Sequence, residues 1–558
     1  MASTIYTPVT IFNDFKIEGD LKEKNAFLTD VDGVKVKKFY LDGNKEKDGT
    51  VQIFCTAVYS ISEDLSSALI VVPDYRGGID EDFMICLAKR GYAVFSADVL
   101  GEDDKPYYTR YPKSLAHATL AIANDNIYTV KDDVKGTCWY EWARVYKHLS
   151  EYVFNQGFKF VGGIGFGRLA TVLYHVSANE NRFSALAFMY NAGWEAQKEK
   201  HDKTTSSADF SDEMIKYLAG IEPEAYVPYI SCPMYFLSAT NSSVFEMDRT
   251  ADTVIRAKAS KYSVLDYSVN TKEFANFNHF NNVLYFFDKV NKEGKSPDLP
   301  EVQDLKCDVL TDRIRAINEF GKFIPKSVCL YASEGSTDPE ERIWTKVEEV
   351  KPEKDANSVV FEYFPKKENS DVYLFIRSEF DNGYKAGSNV VMKRTDGMEI
   401  KAKNTNKVIF SSRDDYAETV FFPVKPKLKT PIDYLGGYSV KREKGPMDIE
   451  GVSCLSGLQT LKTLSDGDLL EDSVLVMDIY VKGDALVKVS LLHVDQNGNK
   501  KRYACYFKLK GEEIWHNVKA ELSKFKSEEG ANLRSFENVK SIRIESDAEF
   551  ILNNALWV

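Results

Sequence analysis

A chain of 558 residues is too long for one hydrophobic core and is expected to form two to four domains. Its 44% hydrophobic and 28% charged residues sit near the globular average, which excludes wholesale disorder and collagen-like or mucin-like classes. With 84 acidic against 72 basic residues the net charge is −12, so neither nucleic acid nor an anionic membrane surface is expected as a partner.

The opening MASTIYTPVTIFNDF has no basic stretch leading into an apolar one, and no secretory signal is expected. No run approaches the ~18 apolar residues of a membrane span. The eight cysteines are scattered without a CxxC pair, and the seven histidines form no HExxH or His-rich tract. Reduced thiols in a cytoplasm, with no metal and no cofactor, are the expectation. The 34 Phe and 31 Tyr suit broad β-sheet cores.

Residues 1–34 are read as an N-terminal extension. Over 35–290 short apolar runs alternate with amphipathic stretches. ALIVVPD (68–74) predicts a buried strand, and DEDFMICLAKRG (80–91) a helix ending at a glycine C-cap. YAVFSAD (92–98) is the next strand. A long helix follows from about Cys138 to Asn155, with Trp139, Trp142, Ala143, Tyr146, Leu149, Tyr152 and Val153 on one stripe. KFVGGIGF (159–166) runs through a glycine turn into a helix over 168–177. FSALAFMY (183–190), PMYFLSA (233–239) and KYSVLDYSV (261–269) are further strands, with helices near 246–259 and 279–290. This alternation predicts an α/β class with a mostly parallel sheet covered by helices on both faces.

The charged segment 291–305 is read as a linker. Beyond it, SVCLYAS, SVVFEYF, DVYLFIR, NVVMK, KVIFS and ETVFFPV form a β-sandwich pattern of immunoglobulin-like size over 306–424. KPKLKTP (425–431) marks the next boundary, and 436–558 is again all β, with a hairpin signal at Asn497-Gly498.

In an open parallel sheet, ligands bind beyond the carboxyl ends of the strands. PDYRGG (73–78), SADVLGEDD (96–104), GIGFGRLA (163–170), CPMYFLSATNSS (232–243) and NFNHF (276–280) follow strands in the order seen in a known superfamily. Over about residues 35–290 the chain resembles the α/β-hydrolases, in particular the dienelactone-hydrolase and acetyl-xylan-esterase-like branches. The resemblance implies an oxyanion loop at 73–78, a nucleophile elbow at Gly165–Leu169, an acid after the strand ending near 239 and a histidine at His279.

The elbow motif is G-x-S-x-G, and here Gly167 stands at the serine. Glycine has no atom with which to attack a carbonyl. The acid position falls on Thr240–Ser243, with Ser242 as the matching residue and Asp248 as a substitute if its loop folds back. The degenerate triad positions are therefore Gly167, Ser242 and His279. Arg168 lies in the first turn of a helix, where a cation is disfavoured by ~0.3–1 kcal/mol. It calls for compensation by a carboxylate such as Asp74 or by a bound anion. Tyr75, Arg76, Phe166, Arg168, Asn241 and His279 are the candidate ligand-binding set. The plainer readings make His279 a helix cap and Arg168 a surface ion-pair residue.

The last segment resembles galactose-binding-like jelly-roll domains, among them carbohydrate-binding modules, at Trp515, Leu522, Ser523, Phe525, Asn554 and Trp557. Tyr480, His493, Tyr503 and Tyr506 are the aromatic residues available to a glycan, while Trp515 and Trp557 are expected in the core. The expected function is a non-catalytic binding or assembly protein recognising a carbohydrate or a small anionic ligand. The alternatives are an active carboxylic-ester hydrolase with an unrecognised nucleophile, and a structural subunit of a homo-oligomer.

Overall fold

The computed structural model describes residues 4–17, 21–61, 65–74, 78–102, 105–123, 127, 130–192, 211–242, 245–270, 277–300, 302–339, 342–381, 383–400, 408–412, 421–424, 440–460, 473–494, 499–536 and 539–558, with the main chain alone at 277–280 and 422–423. Nine strands form the first sheet: β1 (Lys24–Val31), β2 (Val34–Glu46), β3 (Gly49–Ser60), β4 (Ser67–Val72), β5 (Ala93–Ala97), β6 (Phe160–Phe166), β7 (Ala185–Met189), β8 (Met234–Ala239) and β9 (Val264–Ser268). Their order is β1-β2-β3-β5-β4-β6-β7-β8-β9, antiparallel through the β3/β5 pair and parallel from β5 onward. This is the expected mostly parallel α/β sheet. β1 joins it ahead of residue 35, inside the segment read as an extension, and Ile11 is buried in the same core.

The main helices are α1 (Glu81–Ala88), α2 (Cys138–Phe154), α3 (Ala170–Ser177), α4 (Asp212–Gly220), α5 (Met247–Arg256) and α6 (Phe277–Glu293). Asp80 caps α1 by accepting from Phe83 N at 3.0 Å, and Thr137 caps α2. Alternate residues of each strand feed two cores. Ile70 and Val72 meet Trp139, Trp142, Tyr146 and Leu149 of α2 on one face. Leu69 and Val71 meet α1 and α6 on the other. Burial on both faces is why these strands read as unbroken apolar runs.

The chain continues as β10 (Leu305–Val309), β11 (Ile314–Glu319), β12 (Ser327–Glu334), β13 (Thr345–Val350), β14 (Ser358–Tyr363), β15 (Asp371–Glu379), β16 (Lys385–Gly387) and β17 (Val391–Arg394). β10-β11-β14 faces β13-β12-β15-β16, with β17 beside β15. Val328, Leu330, Val372, Leu374 and Ile376 fill the space between the two sheets. The alternate residues Tyr331, Tyr373 and Phe375 point the other way, into the core of the α/β domain. The segment read as a linker is docked as well: Leu299 is buried and Gln303 N donates to Gly387 O at 3.3 Å.

The last unit comprises β18 (Val408–Ser411), β19 (Phe421–Pro423), β20 (Lys441–Lys444), β21 (Glu450–Ser453), β22 (Leu458–Thr460), β23 (Val474–Val481), β24 (Ala485–Val494), β25 (Lys500–Leu509), β26 (His516–Glu521), β27 (Val539–Ser546) and β28 (Phe550–Trp557). One sheet runs β20-β21-β28-β23-β26 with β18 beside β28, and the other β19-β22-β27-β24-β25. KVIFS and ETVFFPV thus belong to this sandwich and not to the preceding one. Phe410 and Phe421 lie in its core with Trp557. Apolar alternation identifies a strand but not its partner. The hairpin turn at Asn497-Gly498 lies outside the described residues, and β24 and β25 pair antiparallel on either side of it. Among the described residues no helix is long and apolar enough to cross a membrane.

Candidate functional site

The carboxyl ends of the parallel strands bring together Asp74, Asp98, Gly167, Asn191, Asn241 and Asn270, each one to three residues past its strand. β6 ends at Phe166, and Gly167 makes the sharp turn into α3 with φ +49°. That left-handed backbone is the conformation an elbow demands and a glycine adopts without strain. Gly165 permits the close approach of strand and helix, because a Cβ there would lie 2.7 Å from Ala170 Cβ. Asn191 Nδ2 clamps the turn by donating to Gly167 O at 2.6 Å, and Tyr174 Oη donates to Asn191 O at 2.6 Å.

A side chain on residue 167 would meet a carboxylate. Its Cβ would lie 3.0 Å from Asp74 Oδ1 and 3.3 Å from Oδ2. Asp74 follows β4, so its position is fixed by the parallel β4/β6 register that pairs Val72 with Gly165. A negative charge at the start of the turn into α3 is stabilised by the helix dipole. Arg168 is half-buried at the same turn. Phe166 lies in the core, 2% exposed, with its ring 5.5 Å from that of Phe83 on α1.

Asp98 is a folding device for its own loop. Its Oδ2 accepts from Thr109 N at 2.7 Å and Gly101 N at 3.2 Å. Burial raises this carboxyl, opposed by the amides of Thr109, Gly101 and Leu100. Burial disfavours the thiolate at three of the cysteines. Burial pushes Cys138 and Cys232 up to about 12 and raises Cys86 as well. Nor is there, among the described residues, a group of three or more His, Cys, Asp or Glu able to hold a metal ion.

The acid loop is committed to the first sandwich. Asn241 Nδ2 donates to Arg342 O at 2.6 Å and Pro339 O at 3.0 Å, which uses both amide hydrogens. Ser242 Oγ accepts from Phe245 N at 3.0 Å. Asp248, the substitute acid, takes a two-pronged ion pair from Arg342 at 2.5 and 2.7 Å. Asn270 exchanges two bonds with the backbone of Trp344, at 2.8 and 2.9 Å.

Below this loop, fully buried Asp266 of β9 accepts from Arg377 of β15 at 2.7 and 2.9 Å. Burial alone would lower the Arg377 guanidinium, and the Asp266 carboxylate overrides it and raises it. Phe375 fits between Tyr267, Tyr331 and Trp344, with ring separations of 4.7, 5.0 and 4.7 Å. The pair Asp266–Arg377 was missed by sequence reasoning. Its only signal was one charge inside each apolar run, SVLDYSV and VYLFIRS.

No family model matches the chain, and no curated protein matches it. Among solved structures it is similar to a cold-adapted esterase from an Arctic intertidal metagenomic library, at 11% identity over 49% of this chain and 100% of that one, TM-score 0.35. It is similar also to acetyl xylan esterase 1 from Thermoanaerobacterium sp., at 14% identity over 48% and 86%, TM-score 0.35. A dienelactone hydrolase-like promiscuous phosphotriesterase from metagenomic libraries shares 13% identity over 43% and 84%, TM-score 0.28. The mostly parallel α/β sheet is shown by its own strand order and register.

Tyr75, Arg76 and the His279 side chain lie outside the described residues. In the last sandwich the aromatic candidates are divided between two sheets. Tyr480 is on β23, where its hydroxyl donates to Glu513 at 3.1 Å, whereas His493, Tyr503 and Tyr506 are on β24 and β25. Tyr506 is exposed and Tyr503 packs against the core, so the four do not form one platform. Trp557 is buried, and Trp515 is half-buried against Gly445, with Nε1 donating to Pro446 O at 3.2 Å.

Proposed function

We propose that this chain is a non-catalytic binding or assembly protein whose α/β domain serves as the platform for the first sandwich. The observation that carries this reading is the occupied elbow. Residue 167 offers no nucleophile, and the Asp74 carboxylate fills the space into which its side chain would project. The bonds from Asn241 and Asp248 to the sandwich support it, because they engage the loop that would orient a catalytic histidine. In this reading the mouth beside Arg168 takes a small anionic or polyhydroxylated ligand, or copies of the chain meet each other. A fluorophosphonate is expected to leave the intact mass unchanged, and a stoichiometric adduct overturns the reading. A glycan array and light scattering after size exclusion test ligand and assembly separately.

A second reading is favoured by the same carboxylate. Asp74 stands where a nucleophile would stand and would attack an ester carbonyl, expelling the alkoxide, which takes a proton from water. Water then cleaves the mixed anhydride, releases the acid and restores Asp74. Hydrolysis of p-nitrophenyl acetate that disappears in Asp74→Asn supports this chemistry, and hydrolysis indifferent to that change excludes it.

A further inference from the structure

A cleft of about 560 Å³ opens at the end of the sheet opposite the elbow. Its walls are the N-terminal segment around Phe15 and Leu21, the last two turns of α2, and the chain from the end of α3 toward β7. α2 leads into the start of β6 and α3 leads away from its end, so this site shares no residue with the elbow.

The cleft is lined by two cations, Lys147 and Arg182, and two carboxylates, Glu151 and Glu180, both of which are bonded to Arg182. Arg182 is satisfied: its guanidinium donates to Glu180 at 2.9 and 2.7 Å and to Glu151 at 2.8 Å. Lys147, half-buried on the same wall, has its ammonium 4.5 Å from the Phe12 ring centroid. The Glu180 carboxylate acts on it through space and raises it, with no direct salt bridge among the described residues. One turn further on, Ser150 is 3% exposed, and its hydroxyl is buried with no hydrogen-bond partner among the described residues. An ammonium without a direct salt bridge and an unmatched hydroxyl, three residues apart, lie on one helix face. Around them stand Phe15, Leu21, Tyr152 and Phe154.

We propose that this cleft binds a small carboxylate with an apolar body, with Lys147 as its countercharge and Ser150 as a hydrogen-bond donor. The carboxylate supplies an acceptor for the Ser150 hydroxyl and a direct countercharge for Lys147, and the aromatic wall takes the apolar body out of water. Burial lowers the Lys147 ammonium to about 8, a desolvation cost that a bound anion offsets. The site goes beyond the elbow reading and stands whether or not that reading does.

The probe is sodium benzoate, with benzamide as its neutral match, titrated calorimetrically into the full chain. Benzoate is expected to bind and benzamide to bind about tenfold more weakly, the scale of one charge-assisted hydrogen bond. Lys147→Met is expected to weaken benzoate by about tenfold or more, and Ser150→Ala by severalfold. Equal binding of the two probes, or benzoate affinity unchanged in Lys147→Met, overturns the proposal. Should Lys147→Met fail to fold, the wild-type chain answers by itself. Benzoate is expected to shield Lys147 from acetic anhydride, as read by peptide mass spectrometry, and acetylation at an unchanged rate overturns the proposal.

Discussion

Gly167 and the loop after β8 sit two strands apart at the same end of one sheet, and they use their surroundings in opposite ways. At Gly167 the turn has φ +49° and no side chain, and the Asp74 carboxylate lies where a Cβ would project. At the loop after β8 the side chains are engaged by another domain. Asn241, Asp248 and Asn270 spend their polar groups on the sandwich, and Asp266 beneath them anchors Arg377. A catalytic loop must leave its acid available to a histidine, whereas a docking loop must leave nothing unsatisfied. The stability of the α/β–sandwich junction is therefore concentrated on the acid side, and the elbow is nearly neutral ground.

The strongest way to break that contrast is at Asp266. Arg377→Met removes the guanidinium from a fully buried carboxylate that also accepts from Tyr235, Asn282 and the Tyr267 amide. Loss of one partner of a buried pair typically costs about 3–5 kcal/mol. The urea midpoint is expected to fall accordingly, and the Asp266→Asn, Arg377→Met double variant is expected to recover much of the loss. A single variant as stable as wild type would show that the junction does not depend on this pair.

On the elbow side the largest effect is one of pH. His175 of α3 is fully buried, with Nε2 bonded to Ile221 O at 2.7 Å, and burial lowers it from 6.5 to about 4. The native state prefers the neutral ring, so its contribution is complete above pH 6.5 and is lost as the pH falls through 4. That shift corresponds to about 3 kcal/mol across the window. His175→Gln is expected to flatten the decline in urea midpoint between pH 6.5 and 4, and an unchanged slope would assign the decline to other groups.

How far these features were legible depends on what a pattern encodes. The strands and helices of the first half follow from apolar runs, and the α2 stripe lies where the sequence puts it. The glycine at the turn after β6 was legible too, because glycine is visible without a fold. Pairing was not. DVYLFIR is apolar on both faces although its sheet is antiparallel, because Tyr373 and Phe375 turn into another domain's core. KVIFS carries no mark of the sheet it joins. The carboxylate at the elbow depended on the β4/β6 register, and the roles of Asn241 and Asp248 depended on a loop about a hundred residues away.

A smaller effect separates docking from simple loop packing. Asn241→Ala removes a donor from Arg342 O and one from Pro339 O, which keeps the Arg342 amide at 3.3 Å. The expected loss is about 2 kcal/mol. It is expected to appear together with faster proteolysis or hydrogen exchange in the 339–344 segment. The same loss of stability with unchanged exchange there would place the role of Asn241 inside its own loop.

The smallest effect tests whether Asp74 or the backbone alone keeps residue 167 a glycine. Gly167→Ala places a Cβ on a left-handed residue, which costs about 1 kcal/mol. It also brings that carbon to 3.0 Å from Asp74 Oδ1, which must then shift. The two causes separate in a double-mutant cycle with Asp74→Ala. If the collision matters, the alanine at 167 is expected to cost less in the Asp74→Ala background than in wild type. If the two costs simply add, backbone strain is the whole penalty, and the carboxylate has room to move aside. That outcome would reopen the elbow to a side chain, and it would leave the commitments of the acid loop as the main physical support for a non-catalytic platform.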